Sequence, residues 1–191
     1  MDKKLIAVTG GIGSGKSTVM DVLEGLGYKT LSSDKIVSEL YEKRSVKKLL
    51  KSLFPTAVTG KIKLNIDRAE ISRLVFNNPT QLKALTDLIT PLVLNEILRR
   101  YKKATCSVFA EVPLLFECGF EKHFDKVFVV VRDLEGRIES VKRRSKLSKE
   151  QILARINSQF DYENADLSNY IVIENNGTKE QLKEKITDLV K

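Results

Sequence analysis

The run Gly10-Gly11-Ile12-Gly13-Ser14-Gly15-Lys16-Ser17-Thr18 constrains this chain more than any other feature. It fits the spacing G-x-x-x-x-G-K-[ST], with the apolar run Leu5-Ile6-Ala7-Val8 before it and helical spacing after it. Glycines let such a loop curl until successive N–H groups point inward, toward phosphate oxygens. A helix starting near Lys16 turns its positive end on the same anion. Lys16 then reaches the β- and γ-phosphates, and the Ser17 hydroxyl sits on Mg²⁺. The predicted ATP-binding loop residues are Gly11, Ile12, Gly13, Ser14, Gly15, Lys16, Ser17 and Thr18, with Mg²⁺ carried alongside ATP.

Around this loop, short apolar strands alternate with amphipathic helices. Strands are predicted at Lys4–Thr9, Tyr28–Ser32, Ser107–Val112, Lys126–Val131 and Tyr170–Glu174. Val127 to Val131 is apolar throughout, as in a parallel strand covered on both faces. Helices are predicted at Lys16–Leu26, stopped by Gly27, and at Asp34–Glu42. Asp133 is placed to cap a further helix, and Ser148-x-x-Gln151 and Thr178-x-x-Gln181 read as capping boxes. The result is an α/β fold, a five-stranded parallel sheet flanked by helices. The stretch from about 45 to 104 has no convincing strand. It carries helical pieces at Val46–Phe54, Asp67–Phe76, Thr80–Ile89 and Pro91–Lys103, punctuated by prolines. The 191 residues therefore read as one domain: a core of 1–44 and 105–191, a helical insertion of about 45–104, and a lid of about 134–160.

Lys plus Arg number 33 against 25 for Asp plus Glu, a net charge of +8 that favours anionic partners. No apolar run approaches the roughly 20 residues of a membrane span. The opening Met1-Asp2-Lys3-Lys4 leads into an apolar stretch too short for a secretory signal, so a cytoplasmic protein is expected. Two scattered cysteines, Cys106 and Cys118, are expected to stay reduced. His123, the single histidine, lies in a polar stretch, which argues against Ser-His-Asp catalysis and a His-rich metal site.

The loop defines a phosphate site but not a reaction. A switch GTPase is disfavoured: Asp133-Leu134-Glu135-Gly136 lies far along the chain, and no N-K-x-D motif occurs. A small-molecule kinase fits the size, the insertion and the charge. It needs an acceptor-side carboxylate, an acid near Mg²⁺ and cations over the phosphates. Asp34 follows the second strand, where a parallel sheet opens on its ligand crevice, and suits orienting or deprotonating an acceptor hydroxyl. Its alternative role is to cap the helix after it. Glu111, after Ser107-Val108-Phe109-Ala110, is the candidate to reach Mg²⁺ through water. Lys142-Arg143-Arg144 suits both a helix C-terminus and a basic lid that excludes water from ATP.

These segments together resemble the dephospho-CoA kinases of coenzyme A biosynthesis over nearly the whole chain. Thr9 to Thr18, Ser33-Asp34-Lys35-Ile36, Gly60 through Asp67-Arg68, Val112-Pro113-Leu114-Leu115-Phe116-Glu117, Arg144 with Leu147-Ser148, and Arg155-x-x-x-Gln159 carry the likeness. The resemblance implies transfer of the ATP γ-phosphoryl to the ribose 3′-hydroxyl of dephospho-CoA. It implies catalytic roles for Asp34, Lys16 and Arg144, acceptor contacts at Asp34, Arg68, Pro113 and Leu114, and ATP contacts at Arg137 and Asn175. Ser17 and Glu111 would be the metal-side residues. Thr90 stands where the family often has His, so no contact carries over there. Ser140 stands where an Arg is common, with Arg137 offered as its replacement. The expected partners are ATP and dephospho-CoA, without nucleic acid or membrane, in a monomer or weak homo-oligomer. Two alternatives are another nucleoside or nucleotide kinase and an ATP-switched nucleic-acid-binding protein. Against the last, the basic residues are spread along the chain and no aromatic stacking cluster adjoins them.

Overall fold

The computed structural model describes residues 2–76 and 78–191. The chain divides into two compact units, one of residues 1–32 and 101–191, the other of residues 33–100.

The first unit is built on five strands: β1 (Leu5–Thr9), β2 (Lys29–Ser32), β5 (Val108–Glu111), β6 (Lys126–Val131) and β7 (Ile171–Glu174). Their order across the sheet is β2-β5-β1-β6-β7, every neighbouring pair parallel. The five predicted strands are these five, each within a residue or so of its predicted bounds. Every residue of β1 is buried, as expected of a central strand covered on both sides. Helices α1 (Lys16–Gly25) and α8 (Lys179–Val190) bury Val19, Val22, Leu23, Leu182 and Ile186 against Ile6, Val8, Phe128, Val130 and Ile173. A second, smaller core joins α6 (Leu134–Arg144) to α7 (Lys149–Asn157) through Ile138, Val141 and Ile152.

The local signals act as the sequence suggests. Asp133 accepts from the Gly136 N–H at 2.7 Å and caps α6. Ser148 and Gln151, and likewise Thr178 and Gln181, form complete capping boxes on α7 and α8. Helix α1 is stopped by Gly27, just past the cap residue Leu26, and the φ of 86° at Gly27 lies in the left-handed region. The N–H groups of Gly27 and Tyr28 return to the carbonyls of Glu24 and Leu23 at 2.9 and 3.0 Å, which is the Schellman arrangement. Cys106 and Cys118 form no disulfide, and His123 is exposed at the end of a short 3-10 turn.

The second unit contains α2 (Ser33–Glu42), α3 (Arg44–Leu53), α4 (Arg68–Phe76) and most of α5 (Pro79–Lys103). Two expectations are corrected here. A small antiparallel hairpin, β3 (Val58–Thr59) with β4 (Asn65–Ile66), lies in the stretch read as strandless. Two-residue strands are too short to show a period. The helices expected on either side of Thr90 are one helix, with Pro91 inside it. Proline removes the donor for the Asp87 carbonyl, but Asp87 is exposed and water can serve in its place. Burial of Ile89, Val93, Leu94 and Ile97 on both sides of the break holds the helix together.

Gly27→Ala tests the α1 stop in isolation, because a Cβ there meets nothing within 4 Å. Only the left-handed backbone opposes it, so stability should fall by about 1 kcal/mol. Urea unfolding checks this, with ATP binding unchanged.

Candidate active site

Helix α1 begins behind Gly15, whose φ is 96° and which offers no side-chain cap. Helix geometry leaves the first-turn N–H groups of Lys16, Ser17 and Thr18 without intrahelical partners, at the mouth of the loop. Gly10, Gly13 and Gly15 all have positive φ. A Cβ on Gly10 would run into the Val130 carbonyl, and one on Gly15 into the Asn175 amide. The loop therefore needs glycine for backbone conformation and for close approach alike.

Lys16 folds its ammonium back onto the carbonyls of Gly10 and Gly11, at 2.6 and 3.0 Å. Burial lowers its pKa from 10.5 to about 8. Glu111 opposes that shift, while Arg144 and Arg137 add to it and Glu117 again opposes it. These five side chains thus share one electrostatic neighbourhood. Glu111 ends β5 beside Val8 of β1 and Ser32 of β2. Arg144 closes α6 and is exposed, with Lys142 and Arg143 in the same last turn. Pro113 and Leu114 follow β5, half-buried, in the turn that leads to Glu117.

Side chains from later segments support the loop from outside, among them Arg137, Asn175 and Tyr162. Arg137 is buried beneath it and donates from Nε to the Ile12 carbonyl at 3.1 Å. Its other side meets Glu163 at 3.5 Å. Asn175 is also buried, and its Nδ2 donates to the Ser14 carbonyl at 2.8 Å. It borders a polar cleft of about 390 Å³ with Glu174, Thr178 and Gln181. Tyr162 pairs its hydroxyl with Thr9 Oγ1 at 3.2 Å, and burial pushes its pKa up to about 12. Tyr162 and Glu163 carry no sequence signal, since they lie in a polar loop with no motif. Tyr162 also belongs to an aromatic cluster. Phe116, Phe160, Tyr162 and Tyr170 gather with ring centroids 4.6–6.0 Å apart, though Phe116 and Tyr170 are far apart in sequence. Phe160 N–H also donates to Glu117 Oε1 at 3.0 Å.

Asp34 and Arg68 belong to the second unit. Asp34 is the second residue of α2, exposed and inside the first turn. It is not the cap of that helix, so its structural contribution is a favourable charge at the positive helix end. Arg68 donates to the hydroxyl and the carbonyl of Ser38, both at 3.3 Å, and lies over the Tyr41 ring. Ser38 is one helical turn from Asp34 on the same face of α2, so Arg68 and Asp34 attend the same side of that helix.

With this geometry in view, the chain can be compared with known proteins. The model of the dephospho-CoA kinase family matches residues 4–181. The chain belongs to the dephospho-CoA kinases. A dephospho-CoA kinase of Fusobacterium nucleatum is 37% identical over 187 residues, 97% of this chain and 96% of that one. The crystal structure of TT1252 from Thermus thermophilus aligns with a TM-score of 0.82 at 36% identity, covering 100% of this chain and 97% of that one. Shikimate kinase from Acinetobacter baumannii aligns with a TM-score of 0.54 at 19% identity, covering 98% and 93%, a likeness of fold alone. The chain is thus an ATP-dependent kinase built on the P-loop kinase fold.

The displaced pKa of Lys16 links stability to pH. The unfolded chain holds the Lys16 proton up to pH 10.5, the folded chain only to about 8. Stability therefore rises with pH across that interval, and at pH 7 the buried charge is a net cost. Relative to Lys16→Met, the parent should gain on the order of 2 kcal/mol between pH 7 and pH 10. Denaturant unfolding of both proteins at the two pH values measures this difference. A difference that is flat with pH would exclude the desolvation of Lys16.

Proposed function

We propose that the chain transfers the γ-phosphoryl group of ATP to the ribose 3′-hydroxyl of dephospho-CoA, giving CoA and ADP. The observation that carries this reading is Lys16, desolvated at the mouth of a glycine loop in a chain of this family. A lysine that pays for its own burial has most to gain from a phosphate at hand. Lys16 and the N–H groups of the loop hold the β- and γ-phosphates and stabilise charge on the transferring group. Arg144 adds its charge over them. Arg137 and Asn175 serve ATP by holding the loop backbone.

Mg²⁺ fits the donors present. Among the described residues no group of three or more His, Cys, Asp or Glu could cage a metal. A first-turn hydroxyl, Ser17, and one nearby carboxylate, Glu111, are hard oxygen donors suited to an ion that keeps water and phosphate ligands. Ser17 would bind it directly and Glu111 through water. The chemistry it supplies is neutralisation of charge on the phosphate oxygens.

Asp34 takes or orients the proton of the acceptor hydroxyl. Arg68, with Pro113 and Leu114, binds the acceptor. A cytoplasmic location and the absence of nucleic acid and membrane among the partners go with this reading, as does a monomer or weak homo-oligomer. The deciding experiment is ADP release with dephospho-CoA, AMP, CMP or adenosine as acceptor. Dephospho-CoA should be preferred, and a preference for any other would replace the substrate assignment.

Two variants test the roles. Lys16→Ala should lose about 10²–10³ in turnover with its fold intact. Asp34→Asn should lose about 10²–10⁴ in turnover with ATP affinity unchanged. Loss of a first-turn charge costs about 0.3–1 kcal/mol, so its melting temperature should move only slightly. Near-parental turnover of Asp34→Asn would remove it from the chemistry.

A further inference from the structure

Ile12 is the residue of the phosphate loop that the rest of the first unit grips most completely. Its side chain packs against the small core of α6 and α7, beside Ile138, Val141 and Ile152. Its carbonyl accepts from Arg137 of α6. Its N–H donates to Gln159 Oε1 at 2.6 Å. Gln159 lies just past α7, in the segment that Phe160 ties to Glu117 and Tyr162 ties to Thr9. Both backbone groups of one loop residue are therefore satisfied by side chains from the lid and its exit. The Gln159 contact has the shorter of the two distances.

We infer that Gln159 is a positioning residue for the nucleotide site, holding the loop in its phosphate-ready curl by accepting the Ile12 N–H. This rests on the proposed phosphoryl transfer and adds a residue to which no role was given. A glycine-rich backbone has many conformations of similar energy. Fixing Ile12 at both its N–H and its carbonyl selects one of them before ATP arrives. Without the acceptor, part of the population leaves the curl, and ATP affinity falls in proportion to the fraction that remains. The same contact couples lid to loop: the segment leaving α7 is anchored on Ile12 through Gln159, as α6, which carries Arg144, is through Arg137.

Amide hydrogen exchange on the full chain reads the contact directly. In the parent, the Ile12 N–H should exchange at least about tenfold more slowly than an unstructured amide. Gln159→Met keeps side-chain length and removes the acceptor. Ile12 protection should then fall about tenfold and the Kd for ATP rise about tenfold. The melting temperature should stay within about 4 °C of the parent. Gln159→Glu keeps an oxygen at the same reach and should keep the protection. An unprotected Ile12 in the parent overturns the inference, whatever the variants do. So does Gln159→Met with either Ile12 protection or ATP affinity unchanged, or Gln159→Glu without protection. ATP titration needs no acceptor, so these outcomes are distinct from a failure of dephospho-CoA to release ADP.

Discussion

Lys16 holds its ammonium against the carbonyls of Gly10 and Gly11 and away from bulk water, and the pKa of about 8 records what that costs. A charge in this position cannot be stabilised by a loop that moves, because each excursion would return it to solvent. The surrounding structure answers with fixed supports. Asn175, Arg137, Gln159 and Tyr162 reach the loop at Ser14, Ile12 and Thr9 from segments that follow β6 and β7. They occupy the outer polar groups of the loop, and the first-turn N–H groups of α1 face the mouth. The parallel sheet makes this arrangement possible, since its strands all deliver their C-terminal ends to one edge.

The part of this that can be read in the sequence is the part encoded locally. The glycines, Lys16 and Ser17 declare the loop by spacing. Val127 to Val131 declares a buried strand by composition. Ser148, Thr178 and Gly27 declare helix ends by capping chemistry, and the structure has all three in use. What could not be read depends on distant partners. Arg137 looks like one more lid cation, yet it is buried with its guanidinium on the Ile12 carbonyl and Glu163. The aromatic group joins Phe116 to Phe160 and Tyr170 only through the fold. The capping role that the sequence offers Asp34 as an alternative is not used: α2 begins at Ser33 and Asp34 lies in its first turn, a shift by one residue that Ser32 and Ser33, equally good caps by type, leave invisible in the sequence. Pro91 has the local chemistry of a helix start, which burial on both of its sides overrules.

The second unit is held together differently. Its centre is Glu96, only 7% exposed, which accepts from Arg99 at 2.6 and 2.9 Å and from Arg100 at 2.8 Å, with Lys43 at 3.5 Å. The Arg99 and Arg100 hydrogen bonds carry its pKa down to about 2 against the opposing effect of burial. A buried carboxylate with so many donors is costly to break and weak as a source of net stability. Its value is geometric. Arg100, which it orients, also pairs with Glu39, so α5 is registered against α2 by charge.

That registration matters because α2 begins with the proposed catalytic carboxylate. Glu39 lies on α2 five residues beyond Asp34, and Arg68 bonds Ser38 between them. Helix α2 is thus fixed by ionic and hydrogen-bonded contacts within its own unit, while Asp34 in its first turn is exposed. The nucleotide side relies on backbone groups held by neutral amides, a hydroxyl and one guanidinium. The acceptor side relies on a chain of ion pairs. The difference follows from what each must bind. A phosphate cradle needs its N–H groups aimed to within a few tenths of an ångström, which hydrogen bonds from rigid segments provide. In its proposed role Asp34 needs a helix held in orientation, which the ion pairs of Glu39 and Glu96 supply while Asp34 itself remains exposed.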